Sequence, residues 1–136
     1  MKKLTLCLAV YLLALTACSP NASSAIEGEW RLVSYGDPAD PTPAATDVET
    51  SVIFGSNGQV HGNVGCNGFG GDYEVDGDTI NFGPIVATLM FCEGPVGEQE
   101  TVLLRVFQET TSYGIDGDTL TITSSDGSDL VVIEKK

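Results

Sequence analysis

Gly62-Asn63-Val64-Gly65-Cys66-Asn67-Gly68-Phe69-Gly70-Gly71-Asp72-Tyr73 holds five glycines in twelve residues, with a thiol and a large aromatic ring between them. A flexible linker does not place Cys and Phe in such a setting. Glycine at this density marks backbone that turns through positive φ or comes close to another segment. A second cysteine closes the stretch Thr88-Leu89-Met90-Phe91-Cys92. The two stretches are expected to meet, and the fold to be organised around that meeting.

Outward from this centre, the 136 residues suffice for one domain. Residues 1–17 read as a signal peptide: Lys2 and Lys3, then an apolar run over residues 4–15, too short to span a bilayer as a helix. Leu15-Thr16-Ala17-Cys18 resembles the lipobox of bacterial lipoproteins, in which the cysteine becomes the acylated first residue. Residues 18–25 then form an acylated flexible tether, small and polar, and residues 26–136 the folded domain. Without Lys2 and Lys3, four basic residues face 19 acidic ones, a formal charge of −15. That charge excludes nucleic-acid binding by phosphate neutralisation. It also repels anionic headgroups, so the membrane is a partner only through acyl chains on Cys18, each buried methylene contributing about 0.8 kcal/mol. Ser19 follows Cys18, where Asp would signal inner-membrane retention, so the expected location is the outer membrane, facing the periplasm.

Cys7 leaves with the signal and Cys18 carries lipid, so Cys66 and Cys92 remain as a pair in an oxidising compartment. They are expected to form a disulfide; two buried free thiols are the alternative. A bridge would close a loop of about 27 residues, for which chain entropy gives roughly 3.5 kcal/mol. Gly65 and Gly68 would allow the close approach it requires.

The rest reads mainly as strand. Residues 27–35 form the first, with Trp30, Leu32 and Ser34 on one face. Three prolines make residues 36–46 a surface loop. Residues 50–54 and 59–64 flank Asn57-Gly58, a hairpin signal. His61, the single histidine, reads as a surface residue of a strand. A repeat follows: Tyr73-Glu74-Val75-Asp76-Gly77-Asp78-Thr79-Ile80-Asn81-Phe82 matches Tyr113-Gly114-Ile115-Asp116-Gly117-Asp118-Thr119-Leu120-Thr121-Ile122. Each copy reads as a hairpin whose two- or four-residue loop puts the Tyr73, Val75, Ile80 and Phe82 set on one face. The Asp-Gly-Asp triplets lack the spaced ligands and distal Glu of a calcium loop and read as turns. The apolar residues 85–91 are expected to be largely buried. Pro95 opens one helix, with Glu98 and Glu100 near its positive end and Val102, Leu103, Val106 and Phe107 as its docking stripe. Residues 125–128 turn, and a last strand closes the chain. The fold class is therefore α+β: a curled, mainly antiparallel β-sheet of about seven strands with one packed α-helix.

Trp30-Arg31-Leu32, the Gly65 to Tyr73 segment, Thr88-Leu89-Met90-Phe91-Cys92, one amphipathic helix and a closing hairpin together resemble the META domain family, also called the HslJ-like family after a bacterial heat-shock lipoprotein. The resemblance covers the mature domain, and the Gly-Cys-Asn and Thr-x-Met-x-Cys segments are its most specific parts. Phe91 stands where the family more often has a small residue, which implies local repacking beside Cys92. The resemblance implies the same fold class and an envelope role linked to heat shock or stress and to antibiotic tolerance, and it implies no established enzymatic activity.

For function, the sequence offers no Ser-His-Asp set, metal cluster, phosphate loop or nucleotide fingerprint. The expectation is a non-catalytic envelope lipoprotein with a binding or structural role, monomeric and without a cofactor. Two alternatives stay open. Thiol-redox activity at Cys66 and Cys92 is one, although there is no Cys-x-x-Cys and no base nearby in sequence. Small-ligand or metal binding around Asn67, Phe69 and Met90 is the other, against the plainer reading of Phe69 and Met90 as core residues.

Overall fold

The computed structural model describes residues 22–136. The signal segment, Cys18 and the first residues of the tether lie outside the described residues. The chain enters through a one-turn helix, α1 (Ala22–Ile26), where the sequence predicts the end of a flexible tether. Burial explains it: Ile26 is fully enclosed, and its carbonyl accepts the Trp30 indole N–H at 2.8 Å.

Ten strands follow: β1 (Gly28–Gly36), β2 (Thr42–Pro43), β3 (Ser51–Phe54), β4 (Gln59–Asn63), β5 (Gly68–Asp76), β6 (Thr79–Phe82), β7 (Val86–Ala87), β8 (Thr110–Asp116), β9 (Thr119–Thr123) and β10 (Leu130–Lys135), with helix α2 (Gly94–Val106) between β7 and β8. Eight of them pair antiparallel in the order β10-β9-β8-β6-β5-β4-β3-β1, and β1 returns to β10, closing a barrel. Closure leaves the barrel strands no free edge. β2 and β7 are two-residue additions on β1 and β5, too short to leave a periodic signal, which is why about seven strands are expected from sequence.

The repeat forms as two adjacent hairpins, β5-β6 and β8-β9, joined by the β6-β8 pairing. Tyr73 pairs with Phe82 and Val75 with Ile80, so the loop is the two residues Gly77-Asp78. Gly77 and Gly117 take positive φ at the first loop position, as a type II′ turn requires. In β1 the register slips between Leu32 and Ser34. This bulge turns Tyr35 rather than the predicted Ser34 into the core.

Helix α2 lies across the barrel end where β1 and β4 finish and β10 begins. The Tyr35 hydroxyl reaches the Pro95 carbonyl at 3.4 Å, and Arg105 Nε pairs with Asp129 at 2.9 Å. Burial raises the Tyr35 phenol above its ordinary pKa, and the charge of Glu98 adds to this. The predicted stripe Val102, Leu103, Val106 and Phe107 is buried. Phe107 is the aromatic hub of the interior: stacked on Phe82 at 4.4 Å, edge-on to Phe69 at 5.9 Å, and 6.2 Å from Phe54. Between β9 and β10 the Ser128 amide and the Ser124 hydroxyl donate to Asp126, holding its carboxyl down at about 2. His61 is exposed on β4, as predicted.

Candidate functional site

The glycine-rich turn between β4 and β5 carries Cys66 and Asn67 against the first turns of α2. Gly65 explains why they come so close: a Cβ there would lie 2.8 Å from Glu100 Oε2 and 2.9 Å from the Val96 carbonyl. The approach is to the helix, not to the 88–92 segment, and Gly68 is not needed for it, since a Cβ at Gly68 would meet nothing nearer than 3.9 Å.

Glu100 is the anchor. Its carboxylate is buried and takes three N–H donors: the Cys66 amide at 3.0 Å, the Asn67 amide at 2.8 Å and Asn67 Nδ2 at 2.6 Å. Several charge-assisted bonds to one carboxylate make a stiff joint between helix and turn. Beside it, Gln99 donates to the Val64 carbonyl and accepts the Ala45 amide at 2.9 Å. The sequence places Glu100 only as a charge near the helix dipole. Its position was nonetheless legible, because Gln99 and Glu100 precede Leu103 by four and three residues, on the face of the apolar stripe.

Asn67 passes the constraint on to the second segment. Its Oδ1 accepts the Met90 amide at 2.8 Å and the Thr88 hydroxyl at 2.8 Å, and its Nδ2 donates to the Met90 carbonyl at 2.9 Å. One carboxamide thus pairs with both backbone groups of Met90, as a neighbouring strand residue would. Cys66 and Cys92 complete the joint as a disulfide, with Cα atoms 6.4 Å apart and both residues half-buried. Asn67 Nδ2 lies 3.5 Å from each sulfur.

Of the residues named from sequence, the structure therefore unites Cys66, Cys92, Asn67 and the backbone of Met90. Phe69 lies apart from them, in the core against Phe107. The predicted burial of residues 85–91 does not hold. Ile85 and Ala87 pack on the core, but Val86 is 74% exposed, Leu89 96%, Met90 60% and Phe91 88%. The cause is the joint itself: with Met90 tethered through its backbone and Cys92 through sulfur, the flanking side chains turn outward. For the same reason Phe91 causes no repacking beside Cys92.

Among the described residues, Cys66, Cys92 and Glu100 form one group able to hold a metal ion, with ligand atoms within 4.8 Å of one another. Both sulfurs are engaged in the disulfide, so thiolate ligation would need reduction first. A groove of about 520 Å³ along β1 is lined by Arg31, Val33, Ala44 and Lys136. Its cations are already paired, Arg31 with Glu134 and Lys136 with Glu29 and Glu49.

Several solved structures share the fold. An NMR structure of a protein from Burkholderia xenovorans aligns with a TM-score of 0.67 at 18% identity, over 100% of this chain and 99% of its own. A second NMR structure gives 0.63 at 14% identity, over 82% and 92%. The crystal structure of a DUF4847 family protein from Bacteroides vulgatus gives 0.58 at 14%, over 81% and 93%. No curated protein matches. The sequence profile of the META domain matches residues 23–136, which takes in the barrel, the glycine-rich turn and the helix that grips it, so the chain belongs to the META domain family.

Proposed function

We infer that this META domain protein is a lipid-anchored envelope protein whose work is binding, and that the exposed loop at Leu89, Met90 and Phe91 is its contact surface. The observation that carries this is the pairing of exposure with rigidity. Three consecutive large apolar side chains face solvent on a segment fixed by a disulfide and by the Asn67 carboxamide. Such a patch marks an interaction site more often than an accident of packing, and a fixed backbone lowers the ordering cost of binding.

The direction of the loop supports a partner other than the anchoring bilayer. The described chain begins at Ala22, four residues after Cys18, and α1 packs against β5 at the barrel end where β1 starts. The loop belongs to the opposite end, beside Gly68, whose carbonyl accepts the Thr88 amide at 3.0 Å. From Gly68 to Tyr73, near Glu27, is roughly 17 Å of strand. With an anchor at Cys18, the loop would lie at the barrel end opposite the anchored one. In the periplasm, under stress, the partner would be an envelope protein.

Two measurements test this. The intact mass of the mature N-terminus should carry acyl chains, and Cys18→Ser should shift the protein to the soluble fraction or leave it unprocessed. A photo-crosslinking residue placed at 89 or 91 in the native envelope should give a discrete adduct that the same residue at exposed Glu74 does not. Identical patterns at all three positions, or none at any, would refute the contact surface.

A further inference from the structure

We propose that the Cys66–Cys92 disulfide is an exchange site, and that the apolar loop around it selects extended apolar polypeptide segments bearing a cysteine thiol. This rests on the loop being a docking surface and adds a covalent step to it. The loop leads directly into the bridge: Leu89, Met90 and Phe91 immediately precede Cys92. Both cysteines are half-buried rather than enclosed. An apolar segment lying on Leu89 and Phe91 thus comes within reach of the sulfurs. Glu93 and Glu98, both exposed, flank the site, so an apolar segment that also carries Lys or Arg is favoured over an acidic one.

The surroundings identify the sulfur that leaves. Cys92 lies immediately before Glu93, the N-cap of the thirteen-residue helix α2, where the helix dipole favours a thiolate. Asn67 Nδ2 lies 3.5 Å from both sulfurs and does not distinguish them, so the helix end does. Cys66 sits instead on the turn between β4 and β5, outside that helix, and the Glu100 carboxylate lies within 4.8 Å of both sulfurs. The better-stabilised thiolate departs faster. The substrate thiolate therefore attacks Cys66 Sγ, forming a substrate–Cys66 disulfide, and the S–S electron pair leaves on Cys92. A second substrate thiolate attacks the substrate sulfur of that mixed disulfide and expels the Cys66 thiolate, which takes up a proton. In sum, the protein disulfide and two substrate thiols become a protein dithiol and a substrate disulfide. The protein is reduced by two electrons and returns to its starting state by exchange with a disulfide-bearing donor. Asn67 and Glu100 are positioning residues here, and they hold the turn and the loop in register around the bridge.

The test uses the purified, oxidised protein and three synthetic peptides of equal net positive charge. One is apolar with a single cysteine. The second is polar, with the same residues flanking its cysteine so that the thiols match. The third is the apolar peptide with serine for cysteine, which reports docking by fluorescence anisotropy. Acid-quenched, alkylated samples are read by mass spectrometry under native conditions. The apolar thiol peptide should form a mixed disulfide at least about tenfold faster than the polar one, with the adduct on Cys66 and the alkyl group on Cys92. Joint Leu89→Ser and Phe91→Ser substitution, on side chains outside the core, should abolish that difference. Docking of the serine peptide without any mixed disulfide would overturn the exchange step and leave the docking surface standing. Absence of both would overturn the two together. Equal rates for both thiol peptides would overturn the role of the loop, and an adduct on Cys92 would overturn the choice of leaving sulfur.

Discussion

At the scale of single residues, Asn67 and Glu100 carry more of the fold than their size suggests. Asn67 spans two segments that share no ladder at Met90, and Glu100 fixes Asn67 in turn through two of its N–H groups and the amide of Cys66. Asn67→Asp keeps the shape but replaces the Nδ2 donor with an oxygen that faces Glu100 Oε1, where the native contact is 2.6 Å, and the Met90 carbonyl at 2.9 Å. Denaturant melts at pH 7 should show a loss of about 3–5 kcal/mol, the scale of an uncompensated buried charge. Two carboxylates at that distance raise each other's affinity for a proton, so the variant's folded pKa lies above its unfolded value near 4. Its deficit should then be smallest below about pH 4 and should grow as pH rises through the folded pKa. A deficit equal at pH 4 and pH 7 would mean that the two side chains do not face each other.

At the scale of elements, the pattern of apolar residues predicts what packs and fails where covalent and polar tethers decide. The stripe Val102, Leu103, Val106 and Phe107 placed α2 correctly, because a period near 3.6 is a direct consequence of burying one helix face. The hairpins at Gly77 and Gly117 were equally legible, since a slip of one residue would turn every apolar side chain outward. Ser34 was misplaced because a bulge has no signature in alternation. The exposure of Leu89, Met90 and Phe91 is not legible in composition, which cannot show that Asn67 and Cys66 hold the backbone there with these side chains facing out. The helix makes the sharper forecast: Phe107→Ala removes a ring stacked on Phe82 and in contact with Phe54 and Phe69. It should cost about 3–5 kcal/mol in urea unfolding. Glu98→Ala, on the exposed side of the same helix, should change stability by no more than about 0.5 kcal/mol. Comparable losses from the two would place the ring outside the core.

At the scale of the whole molecule, a closed barrel has a helix at each end, and the ends differ. The α1 end is where the chain enters. The α2 end is where the turn, the bridge and the apolar loop converge. The family was within reach of the sequence, since Gly-Cys-Asn and Thr-x-Met-x-Cys mark both halves of the joint, whereas the sequence predicts a curled sheet and not the β1–β10 pairing that closes it. The outward face of that joint was not, because it depends on contacts made across more than twenty residues of chain. The loop is exposed in its side chains and rigid in its backbone, and the Met90 amide reports both. It belongs to a residue 60% exposed, yet it donates to Asn67 Oδ1 at 2.8 Å. In native-state hydrogen exchange followed by NMR, the Met90 amide should exchange at least about a thousandfold more slowly than in an unstructured chain, an opening free energy of roughly 4 kcal/mol. Exchange at the unstructured rate, with the barrel amides still protected, would mean that Asn67 does not hold the loop.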